Sequence, residues 1–331
     1  MNAETSDAEF PEKLDDHPAY RAWQRLGLDA RRPSSVEYLG GSFQHRIIYR
    51  LHGVGFGGAV IAKGSRRPGI KDEHAIYVRV LSRLAVSTPR YYGFVEEEEG
   101  LSWLFLQDAG DDVFMTLEAT HRAAAARWLV ELHTAAADQG LADVLPERGP
   151  NYYLGHLRDG RVRMLENLGH PDLTGEDVAM LEAVIELGDS VEASWDGILS
   201  FCDGKPQSMA HGDFQPKNIM IQGQGDGVAL VVFDWEKAGW GFLAPDLAPN
   251  IFHDEEQVDL VLYRELAAGL WPGLTASALR QMAEVGLLFR LLASIDWAGQ
   301  SLGFPAPEKP LAQLQIYLEE LNRLMRRRVW L

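Results

Sequence analysis

The stretch HGDFQPKN, from His211 to Asn218, decides the fold predicted for this chain. It places Asp213 five residues before Asn218, directly behind a His-Gly pair, in an otherwise apolar neighbourhood. A carboxylate can accept a proton from a hydroxyl group, and an amide oxygen can bind a magnesium ion. Since His, Asp and Asn are also common in turns and helix caps, the stretch is informative only together with its surroundings.

Two short apolar runs, IMI and VALVVF, flank the glycine-rich segment QGQGDG directly after this stretch. A glycine-rich turn between two such runs predicts a β-hairpin. Folding residues 219–221 onto 228–233 brings Asp234 to within a residue or two of Asn218, and paired antiparallel residues lie roughly 4.5–5.5 Å apart at Cα. One magnesium ion could then be reached by both side chains, with Asp213 facing the substrate.

The order His, Asp, Asn also occurs in the catalytic loop of protein kinases, H-R-D-x-x-x-x-N. There the Asp accepts the proton of the substrate hydroxyl and the Asn binds magnesium. In the present chain Gly212 stands where protein kinases have the Arg. The stretch therefore predicts phosphoryl transfer, provided that the rest of the chain supplies a nucleotide site.

The N-terminal part of the chain has the pattern of a β-sheet that follows a short helix, with strand candidates in VEYLGGSFQHRIIYRL, AVIAKGS and LSWLFLQD. The segment Gly53–Gly58, GVGFGG, matches a dinucleotide fingerprint but leads into a strand, whereas that motif opens a helix. We therefore predict a hairpin turn there. Gly40, Gly41 and Ser42, between the first two strands, are better candidates for a phosphate loop, because small residues let backbone N–H groups approach phosphate oxygens. A plain Gly-Gly turn is the alternative.

Lys63 lies in the apolar strand AVIAK, where an ammonium group without a partner would be costly. The helix predicted for KDEHAIYVRVLSRL places Glu73 on the same face as Ile76, Tyr77 and Val80, which form its apolar stripe. We therefore expect an ion pair between Lys63 and Glu73, of the kind that positions nucleotide phosphates in kinases. The alternatives are a Lys that reaches solvent and a first-turn Glu that complements the helix dipole.

The segment LSWLFLQDAGDD marks the predicted boundary between two lobes, because it passes from an apolar strand into a polar, glycine-containing linker. Residues 1–107 are predicted to form an N-terminal nucleotide-binding lobe with a leading helix, an antiparallel sheet and one helix. Residues 108–331 are predicted to form a larger helical lobe with the catalytic loop and an acceptor pocket. The predicted class is α+β.

Within the second lobe, His133 lies on an apolar helix face and is interpreted as a core histidine. Residues 151–170 are interpreted as an irregular connection, and Thr174 as the N-cap of the helix that follows. Asp246 is either a helix N-cap or a brace behind the catalytic loop, and we favour the brace. Four acids could line an acceptor pocket, although a solvated surface is the favoured interpretation for each: Asp254, Glu255, Glu256 and Asp296.

The composition limits the possible partners. The chain has 331 residues, of which 46% are hydrophobic, and a formal net charge of −17. Such a charge argues against nucleic acid as a partner, because nucleic acid requires a basic surface. It favours a cationic ligand, although a charge that only keeps the protein soluble is the alternative. The single cysteine, Cys202, excludes a disulfide framework and is compatible with a reducing cytoplasm. The acidic N-terminus does not have the pattern of a secretory signal, and no apolar run has the length of a membrane span.

The motifs are similar to those of the aminoglycoside phosphotransferase family, which is related to choline kinases and other small-molecule kinases. The resemblance rests on HGDFQPKNIMI, residues 211–221, on VVFDWEKAGWGFLAPDLA, residues 231–248, and more loosely on Lys63 with Glu73. It extends in order from about Ser35 to the C-terminal helices. The motifs are specific for the family and not for one substrate.

The resemblance implies a two-lobed, protein-kinase-like fold that binds ATP or GTP with Mg²⁺ between the lobes. By motif position, Asp213 would be the catalytic base, Asn218 and Asp234 the metal ligands, and Lys63 the phosphate contact. Trp235 and Glu236 stand where protein kinases have Phe-Gly, as in small-molecule members. Since the Arg before the catalytic Asp is replaced by glycine, regulation through phosphorylation of an activation loop is not expected.

Several functions are compatible with these residues. The first is transfer of the γ-phosphoryl group to a hydroxyl of a small molecule, whether an aminoglycoside or other antibiotic or a metabolic amino alcohol, sugar or nucleoside. The second is a non-catalytic nucleotide-binding regulator, which would be expected to lack one of the four residues Lys63, Asp213, Asn218 and Asp234. The third is nucleotidyl transfer on the same scaffold.

Overall fold

A computed structural model describes residues 14–42, 46–252, 255–302 and 307–330 of the chain. The chain divides into two compact units. The first contains the described residues up to Val78 together with Thr88–Asp111, and the second contains Arg79–Ser87 and the described residues from Asp112 onward. The predicted α+β class, with a small β-rich unit and a larger helical unit, is confirmed.

The first unit is built on a five-stranded antiparallel sheet with the strand order β1-β2-β3-β5-β4. Its strands are β1 (Ser35–Ser42), β2 (Arg46–His52), β3 (Ala59–Ser65), β4 (Tyr91–Glu96) and β5 (Ser102–Gln107), and its helices are α1 (Pro18–Arg25) and α2 (Gly69–Arg79). Alternate residues of β2 are buried, as expected for a strand with one face on a core. The aromatic side chains Trp23, Tyr49, Trp103 and Phe105 fill this core.

The segment predicted as a phosphate loop lies within a strand and not in a turn, and its contact with phosphate stays a prediction. Gly40, Gly41 and Ser42 continue β1 and pair with β2, after a bulge between Tyr38 and Gly40. Glycine permits this course because Gly41 has a φ of +92° and a Cβ there would lie 1.7 Å from the carbonyl oxygen of Arg46. The Ser42 side chain is outside the described part of the chain. The turn predicted for the second glycine-rich segment is confirmed, since Gly53 N–H donates to the Gly58 carbonyl at 2.6 Å.

The second unit is mainly helical and carries two short antiparallel strand pairs, β6–β9 and β7–β8, of which only β7–β8 is a hairpin. The strands are β6 (Gln207–Ala210), β7 (Ile219–Gln222), β8 (Ala229–Val232) and β9 (Gly239–Phe242). The helices are α3 (Ala119–Asp138), α4 (Pro150–Asn167), α5 (Gly175–Ala193), α6 (Trp195–Cys202), α7 (Ala244–Leu247), α8 (Leu260–Ala267), α9 (Ala276–Gly299) and α10 (Glu308–Arg327). Helix α9 packs against α4, α7 and α10 and forms the centre of this unit. Among the described helices, none is long and apolar enough to cross a membrane.

The irregular connection predicted for residues 151–170 is wrong, because most of these residues form helix α4. Its buried residues Tyr153, Leu157 and Met164 follow helical spacing, but charged residues and two glycines obscure that stripe in the sequence. One of these glycines, Gly160, lies against the α9 backbone, where a Cβ would be 3.4 Å from Asp296 Cα. Tertiary packing therefore overrides the low helix propensity of glycine. The predicted N-cap at Thr174 is confirmed as part of a capping box with Asp177.

We expect Gly286→Ala to destabilise the protein by about 3 kcal/mol, because added core volume must displace its neighbours. A Cβ at Gly286, in α9, would lie 2.0 Å from the carbonyl oxygen of Ala244, which belongs to the backbone of α7. Gly155 in α4 is the matched control, since a Cβ there meets open space. Gly155→Ala is expected to stabilise by about 0.5–1 kcal/mol. Urea unfolding of both variants measures the difference, and equal stability of the two would contradict the predicted close packing.

Candidate active site

The stretch from His211 to Asn218 forms a loop between β6 and β7, and Asp246 holds its first residues from behind. The Asp246 carboxylate accepts hydrogen bonds from the backbone N–H of His211 at 2.6 Å and of Gly212 at 2.9 Å. Asp246 is fully buried, and the N-cap position of α7 belongs to Leu243. The brace is therefore present and the alternative of a helix N-cap is wrong.

His133 is a buried core histidine, as predicted, and it lies behind the brace. Its Nδ1 forms a hydrogen bond of 2.8 Å with the hydroxyl of Tyr263, and its Nε2 lies 3.5 Å from Asp246 Oδ2. Since α3 carries His133 and α8 carries Tyr263, residues of two helices lie behind the Asp246 carboxylate. The loop backbone is thus held by groups that do not face solvent.

We expect Asp246→Asn to lower kcat by roughly ten- to a hundredfold, because charge-assisted bonds to both N–H groups contribute about 1.5–3 kcal/mol each and an amide offers only one acceptor oxygen. Asp259 is the matched control, because its carboxylate also accepts two backbone N–H groups, from Val261 and Leu262. Asp259 caps α8 and does not contact the loop. Steady-state assays and thermal unfolding of both variants separate a specific loop effect from lost stability. Equal loss of kcat in the two variants would contradict the brace.

Gly212 has a backbone conformation that other residues rarely adopt, with a φ of +79°. A Cβ at this position would lie 2.6 Å from the carbonyl oxygen of Lys237. The glycine that replaces the kinase Arg is therefore required by both the dihedral angle and the close approach of a neighbouring backbone segment.

The Asp213 carboxylate is the centre of the loop and is almost entirely buried. Its Oδ2 accepts a hydrogen bond from Asn218 Nδ2 at 2.9 Å and lies 2.8 Å from Lys217 Nζ. Its Oδ1 accepts a hydrogen bond from Gln215 Nε2. The orientation of the carboxylate is thus fixed, and Lys217, whose side chain is 60% exposed, is the most exposed of its three partners.

The predicted hairpin is confirmed and it brings Asp234 next to the loop. Strands β7 and β8 pair with Ile219 opposite Val232, and the next bond runs from Phe233 N–H to the Asn218 carbonyl at 3.1 Å. Asp234 follows directly and has a φ of 69°, a left-handed conformation that is rare for a residue with a side chain. Asn218 and Asp234 therefore both lie at the open end of the hairpin.

The donor set at this end fits a magnesium ion. Asn218 uses Nδ2 to bind Asp213, so its carboxamide oxygen Oδ1 is the atom suited to a cation, and Asp234 supplies a carboxylate. Magnesium is commonly held by one or two protein oxygens and completes its shell with water and phosphate oxygens. In the described ranges no three His, Cys, Asp or Glu side chains are grouped so that they could hold a metal.

The predicted ion pair between Lys63 and Glu73 is present in the first unit, where Lys63 Nζ donates to Glu73 Oε2. Lys63 lies in the middle of the sheet, between Ile48 of β2 and Leu104 of β5, and is 6% exposed. Glu73 is 1% exposed and lies on the buried face of α2. Neither alternative, a Lys that reaches solvent or a solvated first-turn Glu, agrees with these positions.

Three polar residues near Asp213 were not predicted from the sequence. Gln215 and Lys217 belong to the loop itself, and Arg290 lies on α9. Arg290 is 3% exposed and donates from Nη1 to the carbonyl oxygen of Pro249 at 3.2 Å. Burial lowers the pKa of Arg290, while the carboxylates of Asp213 and Asp246 act in the opposite direction. A single charge within the apolar run GLLFRLLASI is the signal that could have revealed Arg290.

The four acids proposed for an acceptor pocket have different environments. Glu255 accepts a hydrogen bond from the Thr116 hydroxyl, and Glu256 is exposed, as expected of a solvated surface. Asp254 lies outside the described residues. Asp296 is 2% exposed, so the solvated interpretation is wrong for it. Helix packing explains this, because Asp296 faces α4 and not the solvent.

Comparisons with known proteins agree on one family. The profile of APH, described as the phosphotransferase enzyme family, matches residues 39–285. None of the curated proteins compared with the chain matches it.

Solved structures of aminoglycoside phosphotransferases share the fold. The complex of APH(2")-IIIa with GDP and kanamycin has a TM-score of 0.63 at 15% identity and covers 92% of this chain and 98% of its own. Spectinomycin phosphotransferase APH(9)-Ia with ADP and spectinomycin has a TM-score of 0.59 at 10% identity, with coverages of 92% and 98%. A variant of APH(4)-Ia with ADP and hygromycin B has a TM-score of 0.57 at 16% identity, with coverages of 93% and 98%. The protein-kinase-like fold is therefore confirmed.

Proposed function

The chain belongs to the phosphotransferase enzyme family, and we propose that it transfers the γ-phosphoryl group of ATP or GTP to a hydroxyl of a small molecule. The observation that carries this proposal is the braced loop in which Asp213 is buried, oriented by Asn218 and Gln215, and next to an exposed Lys217. A carboxylate held in this way can receive a proton from a hydroxyl without having to reorganise.

Each residue has a defined task in the proposed reaction. Asp213 accepts the proton of the acceptor hydroxyl, the hydroxyl oxygen forms a bond to the γ-phosphorus, and the bond to the β–γ bridging oxygen breaks, which releases ADP or GDP. Lys63, held by Glu73, contacts the phosphates, and Asn218 and Asp234 hold magnesium. When bound, this ion would neutralise charge on the phosphate oxygens.

The backbone at Gly41 and Ser42 is the proposed phosphate contact at the end of β1. Although these residues continue the strand, Gly41 is exposed, and this exposure supports a contact with a ligand. This role of Gly41 and Ser42 is part of the proposal, as are the nucleotide and metal ligands.

The acceptor class follows from the family only in outline. Some structural relatives were solved with aminoglycoside-type antibiotics, which makes an antibiotic one candidate acceptor and antibiotic resistance one candidate role. A metabolic amino alcohol, sugar or nucleoside is the other. The proposed location is the cytoplasm, where ATP and GTP are available. A non-catalytic regulator is less consistent with the chain, because Lys63, Asp213, Asn218 and Asp234 are all present.

Isotope labelling tests the reaction class. The protein is incubated with Mg²⁺ and either γ-labelled or α-labelled ATP or GTP, together with a panel of hydroxyl-bearing acceptors. We expect the γ-label and not the α-label to reach an acceptor. Transfer of the α-label would establish nucleotidyl transfer instead. Nucleotide binding with neither transfer nor hydrolysis would support the regulator.

A further inference from the structure

A groove of about 290 Å³ lies on the first unit, and the proposed reaction does not use it. Among the described side chains of the proposed nucleotide site, neither Lys63 nor Glu73 lines it. Its volume is at the lower end of the range for ligand pockets, which suits a ligand of roughly ten to fifteen non-hydrogen atoms. We call it the Phe56 groove, and its lining includes Leu28, Asp29, Arg31, Phe56, Arg90 and Tyr92.

The turn between β2 and β3, which carries Phe56, is held in place by side chains of the groove. The Tyr92 hydroxyl accepts a hydrogen bond from Phe56 N–H at 2.9 Å and donates to the Phe56 carbonyl at 3.0 Å. One residue earlier, Gly55 N–H donates to the Asp29 carboxylate at 2.9 Å, and the Gly55 carbonyl accepts from Arg31 at 2.9 Å. A ligand would therefore meet a wall that is already formed, which lowers the entropic cost of binding.

Apolar surface is open to solvent in this groove. Phe56 is 66% exposed and Leu28 is 58% exposed, which is high for large apolar side chains. The Arg90 guanidinium lies 4.2 Å from the centre of the Phe56 ring and covers one of its faces. Since two thirds of Phe56 remain exposed, the ring keeps open surface on which a planar apolar group can pack.

Arg90 brings a positive charge to the groove that no carboxylate balances within the described part of the chain. Its side chain is exposed and contacts the rings of Phe56 and Tyr92, at 4.2 and 5.9 Å from their centres. Contact with a ring occupies the face of a guanidinium, whereas its N–H donors lie in the plane and stay available. Asp29 is already paired with Arg31 at 2.8 Å. The lining is therefore net positive, in a chain with a formal charge of −17.

We propose that the Phe56 groove binds a small aromatic carboxylate, at a site separate from that of the proposed reaction. The carboxylate forms a bidentate pair with the exposed guanidinium of Arg90, and the aromatic ring packs on the open surface of Phe56 and Leu28. A cationic ligand would be repelled by Arg90. A neutral ring would leave that charge without a partner, and an inorganic anion would leave the apolar surface in water. An aromatic carboxylate satisfies both features at once.

The test titrates the full-length protein with three probes, in ligand-observed NMR experiments with and without saturating Mg²⁺ and ADP. The probes are 2-naphthoate, its neutral isostere 2-naphthamide, and inorganic phosphate. We expect 2-naphthoate to bind with a Kd of about 0.1–1 mM, in the range of ligands of this size. The amide and phosphate should each bind about tenfold more weakly, because each lacks one of the two features that the groove recognises. The Kd for 2-naphthoate should be the same with and without the nucleotide.

Two pairs of variants locate the binding site. Arg90→Gln and Phe56→Ala should each raise the Kd for 2-naphthoate about tenfold or more, since one removes the cation and the other the ring. Arg79→Gln, at an exposed arginine that ends α2, and Leu165→Ala, at a 52% exposed residue of α4, are the matched controls with unchanged Kd. All four positions are exposed, so the variants should fold normally, which melting curves verify.

Four results would overturn the proposal. They are the absence of saturable binding of 2-naphthoate up to about 10 mM, an equal affinity for the amide or for phosphate, displacement of the probe by ADP, and equal effects in the groove variants and their controls. None of these results depends on phosphoryl transfer, so the proposal can fail while the proposed function stands, and the reverse.

Discussion

Asp213→Asn is expected to lower phosphoryl transfer by about 10³-fold or more while nucleotide affinity changes little, because general bases contribute about 10²–10⁴-fold to such steps. The side-chain shape is preserved, and one oxygen remains to accept from Asn218. What is lost is the ability to take a proton from the acceptor hydroxyl. Single-turnover transfer from γ-labelled nucleotide measures the chemical step, and calorimetric titration measures nucleotide binding.

An exposed aspartate outside the loop provides the control for this substitution. Asp196 lies in the first turn of α6 and is exposed, so Asp196→Asn removes one negative charge of the protein without touching the site. The Asp196→Asn variant should transfer the phosphoryl group at the rate of the unsubstituted protein. If Asp213→Asn also remained within tenfold of that rate, Asp213 would not be the base, and the proton would have to leave by another route.

The second large effect concerns the buried pair in the first unit. Glu73→Gln is expected to destabilise the protein by about 3–5 kcal/mol, because it removes the carboxylate that pairs with the buried ammonium of Lys63. The rate of phosphoryl transfer should fall as well, because Lys63 loses the carboxylate that orients its ammonium group. Lys63→Met is expected to be less destabilising than Glu73→Gln, but to abolish the phosphate contact.

Lys63→Met combined with Glu73→Leu separates stability from activity. Replacing both members of a buried pair with apolar residues of similar size is often neutral or stabilising, so most of the stability should return. Transfer should not return, because the cation is still absent. Urea unfolding and single-turnover assays on all three variants test this. Recovery of transfer in the double variant would contradict the role of Lys63 at the phosphates.

The residues predicted correctly from the sequence are those whose partners are set by local periodicity. Lys63 and Glu73 could be paired because strand alternation and helix spacing each place one charge on a buried face. The hairpin of β7 and β8 has a glycine-rich turn, and its register alone brings Asp234 next to Asn218. For Asp246 the sequence left a brace and a helix N-cap as alternatives, because the donors of its hydrogen bonds, His211 and Gly212, lie far earlier in the chain.

The errors involve contacts that no local pattern encodes. Helix α4 contains two glycines and several charges, and only its packing on α9 makes it continuous. Asp296 and Arg290 are charged residues on the buried sides of α9, where their partners come from other helices. The bulge at Gly40 keeps a Gly-Gly pair inside a strand, whereas turn chemistry alone favours a loop. Each case depends on tertiary neighbours that lie far away in the sequence.

Gly212 has a consequence for how such a chain could change over evolutionary time. Many protein kinases have an Arg at this position that senses a phosphate on the activation loop. In the present protein, an Arg there would require a positive φ and would meet the carbonyl oxygen of Lys237. A lineage that gained the Arg would first have to move the backbone segment around Lys237. Phosphorylation control through such an Arg is therefore not one mutation away from this chain.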